Sequence, residues 1–149
     1  MSENHIATDL PARFKQISLW FETLTPESLS QISAIYSAEA TFRDPFNNLS
    51  GLAGVTSVYQ HMFATLETPR FVITNIVSQD RQAFISWDFN FQLRTKAYQI
   101  VGCTHFVLNT EGLILIHRDY WDAAEELYEK IPLLGSLMRF IKRKLAVQL

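Results

Sequence analysis

Two stretches of the chain hold residues able to move a proton. In ATFRDPF, residues 40–46, the carboxylate of Asp44 stands between an aromatic-bearing strand and a proline. Asp before proline is a common turn former, so Asp44 is either a turn cap or a general base at the mouth of a cavity. In HRDYWD, residues 117–122, a histidine and an aspartate two positions apart share one face of a strand. That face carries His117, Asp119 and Trp121, while Arg118, Tyr120 and Asp122 take the other. A carboxylate beside an imidazole orients it and favours its charged form. The pair suits an acid or an oxyanion donor, and it also suits a buried hydrogen bond that braces the strand.

These residues need elements to position them. Leu10, Phe14, Ile17, Phe21 and Leu24 recur at helical spacing and predict an amphipathic helix over residues 10–24. Thr25-Pro26-Glu27 reads as a second helix start, with a hydroxyl cap, proline at the first helical position and an acid near the positive end of the dipole. That helix would bury Leu29, Ile32 and Ile35. ATFRDP follows as a strand, and residues 51–66 form a third helix with Val55, Tyr59, Met62 and Phe63 on one face.

Beyond Pro69 the period changes. Phe71 to Thr74 opens a strand, and residues 78–81 read as a turn. In AFISWDFNFQL, Ile85, Trp87, Phe89, Phe91 and Leu93 alternate with Ser86, Asp88, Asn90 and Gln92, which marks a strand with one apolar face. Strands over residues 98–108 and 113–121 flank a hairpin loop, Asn109 to Gly112. Segregated helices and strands of this kind predict an α+β fold, helices on one face of a curved antiparallel sheet.

Composition sets the outer bounds. The 149 residues predict one domain over 1–149, with 123–149 as an amphipathic helical extension. A hydrophobic share of 48% against a charged share of 19% argues against disorder. The 11 phenylalanines could fill a core or line an apolar cavity. A net charge of −2 offers nothing to attract nucleic acid. The single cysteine, Cys103, supplies neither an internal disulfide nor a thiolate-rich metal site, and no His, Asp or Glu spacing predicts a metal. MSENHIATDLPARF lacks the pattern of a signal peptide, and no apolar run reaches the roughly 20 residues that span a bilayer. A cytoplasmic protein is the expectation.

The order of elements resembles the cone-shaped nuclear transport factor 2-like fold, which includes ketosteroid isomerases and SnoaL-like polyketide cyclases. IYSAEATFRDPF (residues 35–46), LSGLAGVTSVY (49–59) and EGLILIHRDYWD (111–122) carry the likeness. The resemblance implies that Asp44 is a general base acting on carbon next to a carbonyl. It implies that Tyr59 supports a catalytic hydrogen-bond network and that Trp121 lines the cavity. The isomerases' first oxyanion donor falls on Trp20 and their second on Thr104, so steroid isomerisation itself is not expected.

With Trp121 facing the cavity, His117 and Asp119 face it as well. The cavity would also hold Asp44, Tyr59, Thr104 and Trp20, and Trp87, Phe89 and Phe91 form an apolar wall. His105, beside Cys103, then packs on the outer face of the sheet. The expectation is cofactor-independent acid–base chemistry on a hydrophobic carbonyl-bearing small molecule: isomerisation, cyclisation or dehydration, with Asp44 as base and His117, oriented by Asp119, as acid or oxyanion donor. A non-catalytic binding protein for an apolar or lipid-like molecule, or a dimeric interaction module, are the alternatives. The superfamily implies a homodimer.

The tail stays open. From Lys130 onward it carries Lys130, Arg139, Lys142, Arg143 and Lys144 and no acid, with Leu134, Leu137, Met138, Ile141 and Leu145 as an apolar stripe. Such a helix either packs on the domain or a dimer mate, or sits on anionic lipid or a partner.

Overall fold

The computed structural model describes residues 9–126 and 132–146. Helix α1, Leu10–Glu22, begins where the Asp9 side chain accepts from the Ala12 amide, and it buries Phe14, Ile17 and Phe21. The second helix is a 3₁₀ helix, Glu27–Ala34, where the sequence predicts an α-helix. Ser28 and Ser30 donate their hydroxyls to carbonyls three residues back, a spacing that suits the tighter winding. The Thr25 hydroxyl accepts from the Ser28 amide, so the expected cap is in place although the helix starts at Glu27.

Strands β1, Tyr36–Arg43, and β2, Asn48–Ser50, flank the Asp-Pro turn and lead into α2, Gly51–Thr65. Strands β3 (Glu67–Gln79), β4 (Gln82–Leu93), β5 (Lys96–Leu108) and β6 (Ile114–Tyr120) form an antiparallel meander. Strand β3 begins at Glu67, ahead of the predicted opening at Phe71, and runs to Gln79, into the predicted turn. The sheet order is β2-β1-β6-β5-β4-β3.

The α+β architecture is as expected, with one correction: the sheet is mixed. Strand β1 lies parallel to β6, with Phe42 beside His117, and a register shift between Tyr36 and Thr41 marks a bulge. Parallel pairing follows from connectivity. The meander runs β3 to β6 across the sheet, and β1 closes its far side after a long crossover rather than a hairpin.

Period-two alternation in β4 buries Ala83, Ile85, Trp87, Phe89 and Phe91. Phe14, Ile17, Tyr36, Val55, Leu108 and Ile114 fill the centre between helices and sheet. A second apolar cluster, Trp87, Phe89, Phe91 and Ile100, borders an open space instead of packing shut. His105 lies on the outer face, stacked on Phe84 at 4.4 Å between centroids.

After β6 come α3, Ala123–Glu126, and α4, Pro132–Leu145. Leu137, Phe140, Ile141 and Leu145 of α4 are exposed. Lys130, part of the predicted basic tail, lies outside the described residues. Among the described residues no helix is long and apolar enough to cross a membrane.

Candidate functional site

A cavity of about 410 Å³ opens between α2 and the concave face of the sheet. Its walls are Trp87, Phe89 and Phe91 from β4, Phe71 and Ile73 from β3, and Val58 and Met62 from α2. Phe71 stacks on Phe89 at 4.5 Å and meets Trp87 edge-on at 5.6 Å. Trp121 lines the opening with Phe46 against it, ring centroids 5.5 Å apart. An apolar interior with few polar groups is the usual make-up of a small-molecule pocket.

Six side chains on and behind its wall form one chain of hydrogen bonds. The Trp87 indole donates to Thr104 Oγ1 at 2.8 Å, and Thr104 donates onward to Asp119 Oδ1 at 2.5 Å. His117 Nε2 lies 2.8 Å from the same oxygen. On the other side of the ring, Nδ1 lies 2.7 Å from the Tyr36 hydroxyl, which is 2.6 Å from that of Tyr59. His117 is 4% exposed and Tyr59 3%, so the chain is nearly dry. Buried polar groups joined in this way strengthen one another and hold one geometry.

Burial, first of all, pushes both tyrosine pKa values well above the ordinary phenol value, and Asp119 adds to the effect. Both phenols therefore keep their protons. The Tyr36–Tyr59 hydrogen bond acts in opposite directions on the two rings, raising Tyr36 and lowering Tyr59.

Strand parity accounts for most of this arrangement. Thr104, His117, Asp119 and Trp121 all line the cavity. Arg118 and Tyr120 point outward, where the guanidinium lies over the tyrosine ring. His117 reaches the wall with both ring nitrogens already engaged, so it offers a ligand no free nitrogen. Asp119 Oδ2 takes no hydrogen bond among the described residues and remains available.

Asp44 also lines the cavity, at its rim, but its carboxylate is engaged in its own turn. Oδ1 accepts from the Phe46 amide at 2.7 Å, the Asn47 amide at 2.6 Å and Asn47 Nδ2 at 3.1 Å; Nδ2 also reaches Oδ2 at 3.0 Å. The turn-cap geometry is thus present together with the cavity position.

Trp20 is a correction. It does not line the cavity but packs behind it, edge-on to Phe21, Tyr36 and Tyr59 at 5.1, 6.4 and 6.1 Å. Its Nε1 is buried without a hydrogen-bond partner among the described residues. The rotation of α1 that buries Phe14, Ile17 and Phe21 carries Trp20 to the flank of that face.

Sequence reasoning missed Tyr36, although the quoted likeness in residues 35–46 includes it. The signal was a tyrosine on the inward parity of a strand, where its hydroxyl requires a partner. Trp87, expected as apolar wall alone, also anchors the hydrogen-bond chain.

The profile of the SnoaL-like domain matches residues 17–117, more than half of the chain. The protein belongs to the SnoaL-like family. Solved structures agree on the fold, nuclear transport factor 2-like and ketosteroid isomerase-like. The SnoaL-like chain is similar to an LEH-like epoxide hydrolase of M. tuberculosis, with TM-score 0.67 and 15% identity over 89% of this chain and 97% of that one. It is similar to a hypothetical protein of Catenulispora acidiphila with a ketosteroid isomerase-like fold, solved with trimethylamine: TM-score 0.66, 14% identity, 78% and 90% covered. A putative isomerase of the SnoaL-like family from Agrobacterium tumefaciens gives TM-score 0.60 at 17% identity, 76% and 94% covered. Comparison with curated proteins returns no match.

Proposed function

We propose that this SnoaL-like protein is a cofactor-independent acid–base enzyme, of isomerase, cyclase or lyase type, acting on a hydrophobic carbonyl-bearing small molecule. The observation that carries the reading is the buried chain of hydrogen bonds that ends at the wall of an apolar cavity. A cavity that only held an apolar molecule would gain nothing from a desolvated carboxylate, an imidazole and two phenols. A site that takes a proton from carbon needs a base with an open lone pair, which a carboxylate with a free oxygen supplies, and a donor for the developing oxyanion.

In this reading Asp119 Oδ2 takes the proton from the carbon next to the carbonyl. His117 and Thr104 hold the carboxylate in position through Oδ1. The Tyr59 hydroxyl, backed by Tyr36, meets the carbonyl oxygen. Asp44 stands at the rim, where Oδ2 is the less engaged of its two oxygens and Asn47 beside it adds a donor. Of the structures sharing this fold, one is named an epoxide hydrolase and one a putative isomerase, and both names are consistent with an enzyme.

Hydrogen–deuterium exchange at the methyl group of 2-acetylnaphthalene, followed by NMR, tests the reading without knowledge of the natural substrate. The wild type is expected to accelerate exchange, and Asp119→Asn to lose about 10²-fold or more of that acceleration. Asp44→Asn is expected to lose less. Undiminished exchange in Asp119→Asn would overturn the reading.

The turn bonds of Asp44 favour a second reading, a binding protein that holds an apolar or lipid-like molecule without converting it. Tight binding of the same ketone with no accelerated exchange would support it.

A further inference from the structure

We propose that Tyr36 is a positioning residue through which the proton on His117 sets whether Tyr59 offers the cavity a hydrogen-bond donor or an acceptor. It follows that the site takes a ligand oxygen that exists both as a carbonyl and as a hydroxyl. The inference rests on the cavity being a carbonyl site.

Counting hydrogens along the chain gives the argument. An indole nitrogen only donates, so Thr104 Oγ1 accepts from Trp87 and its own hydrogen goes to Asp119 Oδ1. That oxygen is therefore an acceptor, and His117 must present an N–H from Nε2. In the neutral ring Nδ1 then has only a lone pair, and the Tyr36 hydrogen must point to it. With the Tyr36 hydrogen so engaged, the 2.6 Å contact between the phenols requires the Tyr59 hydrogen. Tyr59 is left with lone pairs toward the cavity, and a ligand there must donate.

Protonation of His117 reverses every step on that side. The new Nδ1 proton, taken from solvent, points at the Tyr36 oxygen. Tyr36 turns its hydrogen to Tyr59, and Tyr59 turns its own into the cavity. No other bond forms or breaks, and Asp119 faces the same donors in both states. A carbonyl or enolate oxygen matches the protonated state, and an enol or alcohol matches the neutral one.

The surroundings leave no competing switch within the chain. Asp119 on β6 and Tyr36 on β1 touch the ring, and Tyr59 on α2 is one bond further. The other faces are apolar: Phe42 from β1 at 4.3 Å, Phe106 from β5 at 4.9 Å and Phe21 from α1 at 6.0 Å. Asp44 and His61 stand on the cavity wall outside the chain of bonds, and Cys103 is on the opposite face of β5 from Thr104. Burial keeps both phenols protonated, as the reversal requires.

Two probes of similar size test it: 2-acetylnaphthalene, whose oxygen only accepts, and 2-naphthol, which donates. Their affinities are measured by calorimetry between about pH 5 and about pH 8 while the His117 ring is followed by nitrogen NMR. The ketone-to-naphthol affinity ratio is expected to fall about tenfold or more as His117 loses its proton. In Tyr36→Phe the ratio is expected to be flat although His117 still titrates. Should that variant not fold, His117→Gln, which cannot titrate, is expected to give the same flat ratio. A pH-independent ratio in the wild type, a His117 ring that does not titrate, or a slope that survives these substitutions would each overturn the proposal. Binding of neither probe would overturn the carbonyl-site reading and this inference with it, whereas binding with a flat ratio overturns the inference alone.

Discussion

Asp44 and Asp119 are both carboxylates on the cavity, yet their oxygens are used differently. The Asp44 oxygens hold a turn, whereas Asp119 uses one oxygen for two buried donors and leaves the other open. The buried phenols behind Asp119 give a prediction in pH. Their pKa values are raised in the folded protein, chiefly by burial, so the folded state keeps protons that the unfolded chain releases. Stability is therefore undiminished below the unfolded phenol value, about 10, and falls as pH rises above it. Urea titrations between about pH 9 and about pH 11 should show a steeper loss in the wild type than in Tyr36→Phe, and parallel curves would contradict it. At this scale the sequence was legible where parity fixes direction: His117, Asp119 and Trp121 share a face because strands alternate. Trp20 was not legible, because the flank of a helix is settled by what the rest of that helix packs against.

Strand β5 faces Trp87 with Gly102, its directly paired residue. A Cβ on Gly102 would lie 2.4 Å from the indole, so only glycine leaves the ring its place. The same indole donates to Thr104, which links a packing requirement in one pair of strands to the site. Gly102→Ala should cost about 1–3 kcal/mol by overpacking and shift the tryptophan fluorescence, as read by urea denaturation and emission spectra. An unaltered midpoint and spectrum would show that the ring has room elsewhere. The alternation of β4 made that strand and its inward face readable. The direction of β1 was not, since eight residues of mixed burial carry no sign of whether the neighbour runs parallel. The 3₁₀ winding of residues 27–34 was also hidden, because apolar spacing there fits either helix.

The molecule divides its apolar residues between a closed core and a lining. Helix α1, the 3₁₀ helix and α2 close the first, while Trp87, Phe89, Phe91 and Ile100 leave a space of about 410 Å³ beside them. That space costs packing contacts that a filled core would have made. Val58→Phe, on the α2 wall, should therefore abolish binding of 2-acetylnaphthalene while leaving the melting temperature unchanged or higher, by calorimetry and thermal denaturation. A large fall in melting temperature would mean that the position belongs to the closed core. The aromatic excess of the sequence announced either a core or a lining; only the third dimension separates the two.

The parallel seam between β1 and β6 also governs when the site comes into being. Tyr36 and His117 are 81 positions apart, and the strand that carries His117 is the last of the sheet. Closing a loop of that length is an entropic cost met before its contacts repay it. A chain emerging from the ribosome holds Tyr36 and Tyr59 well before β6 exists, and until then β1 and β5 each present an unpaired edge. Assembly of the proton chain thus waits for the last strand of the sheet, and a molecule that binds there selects copies in which that strand is in place.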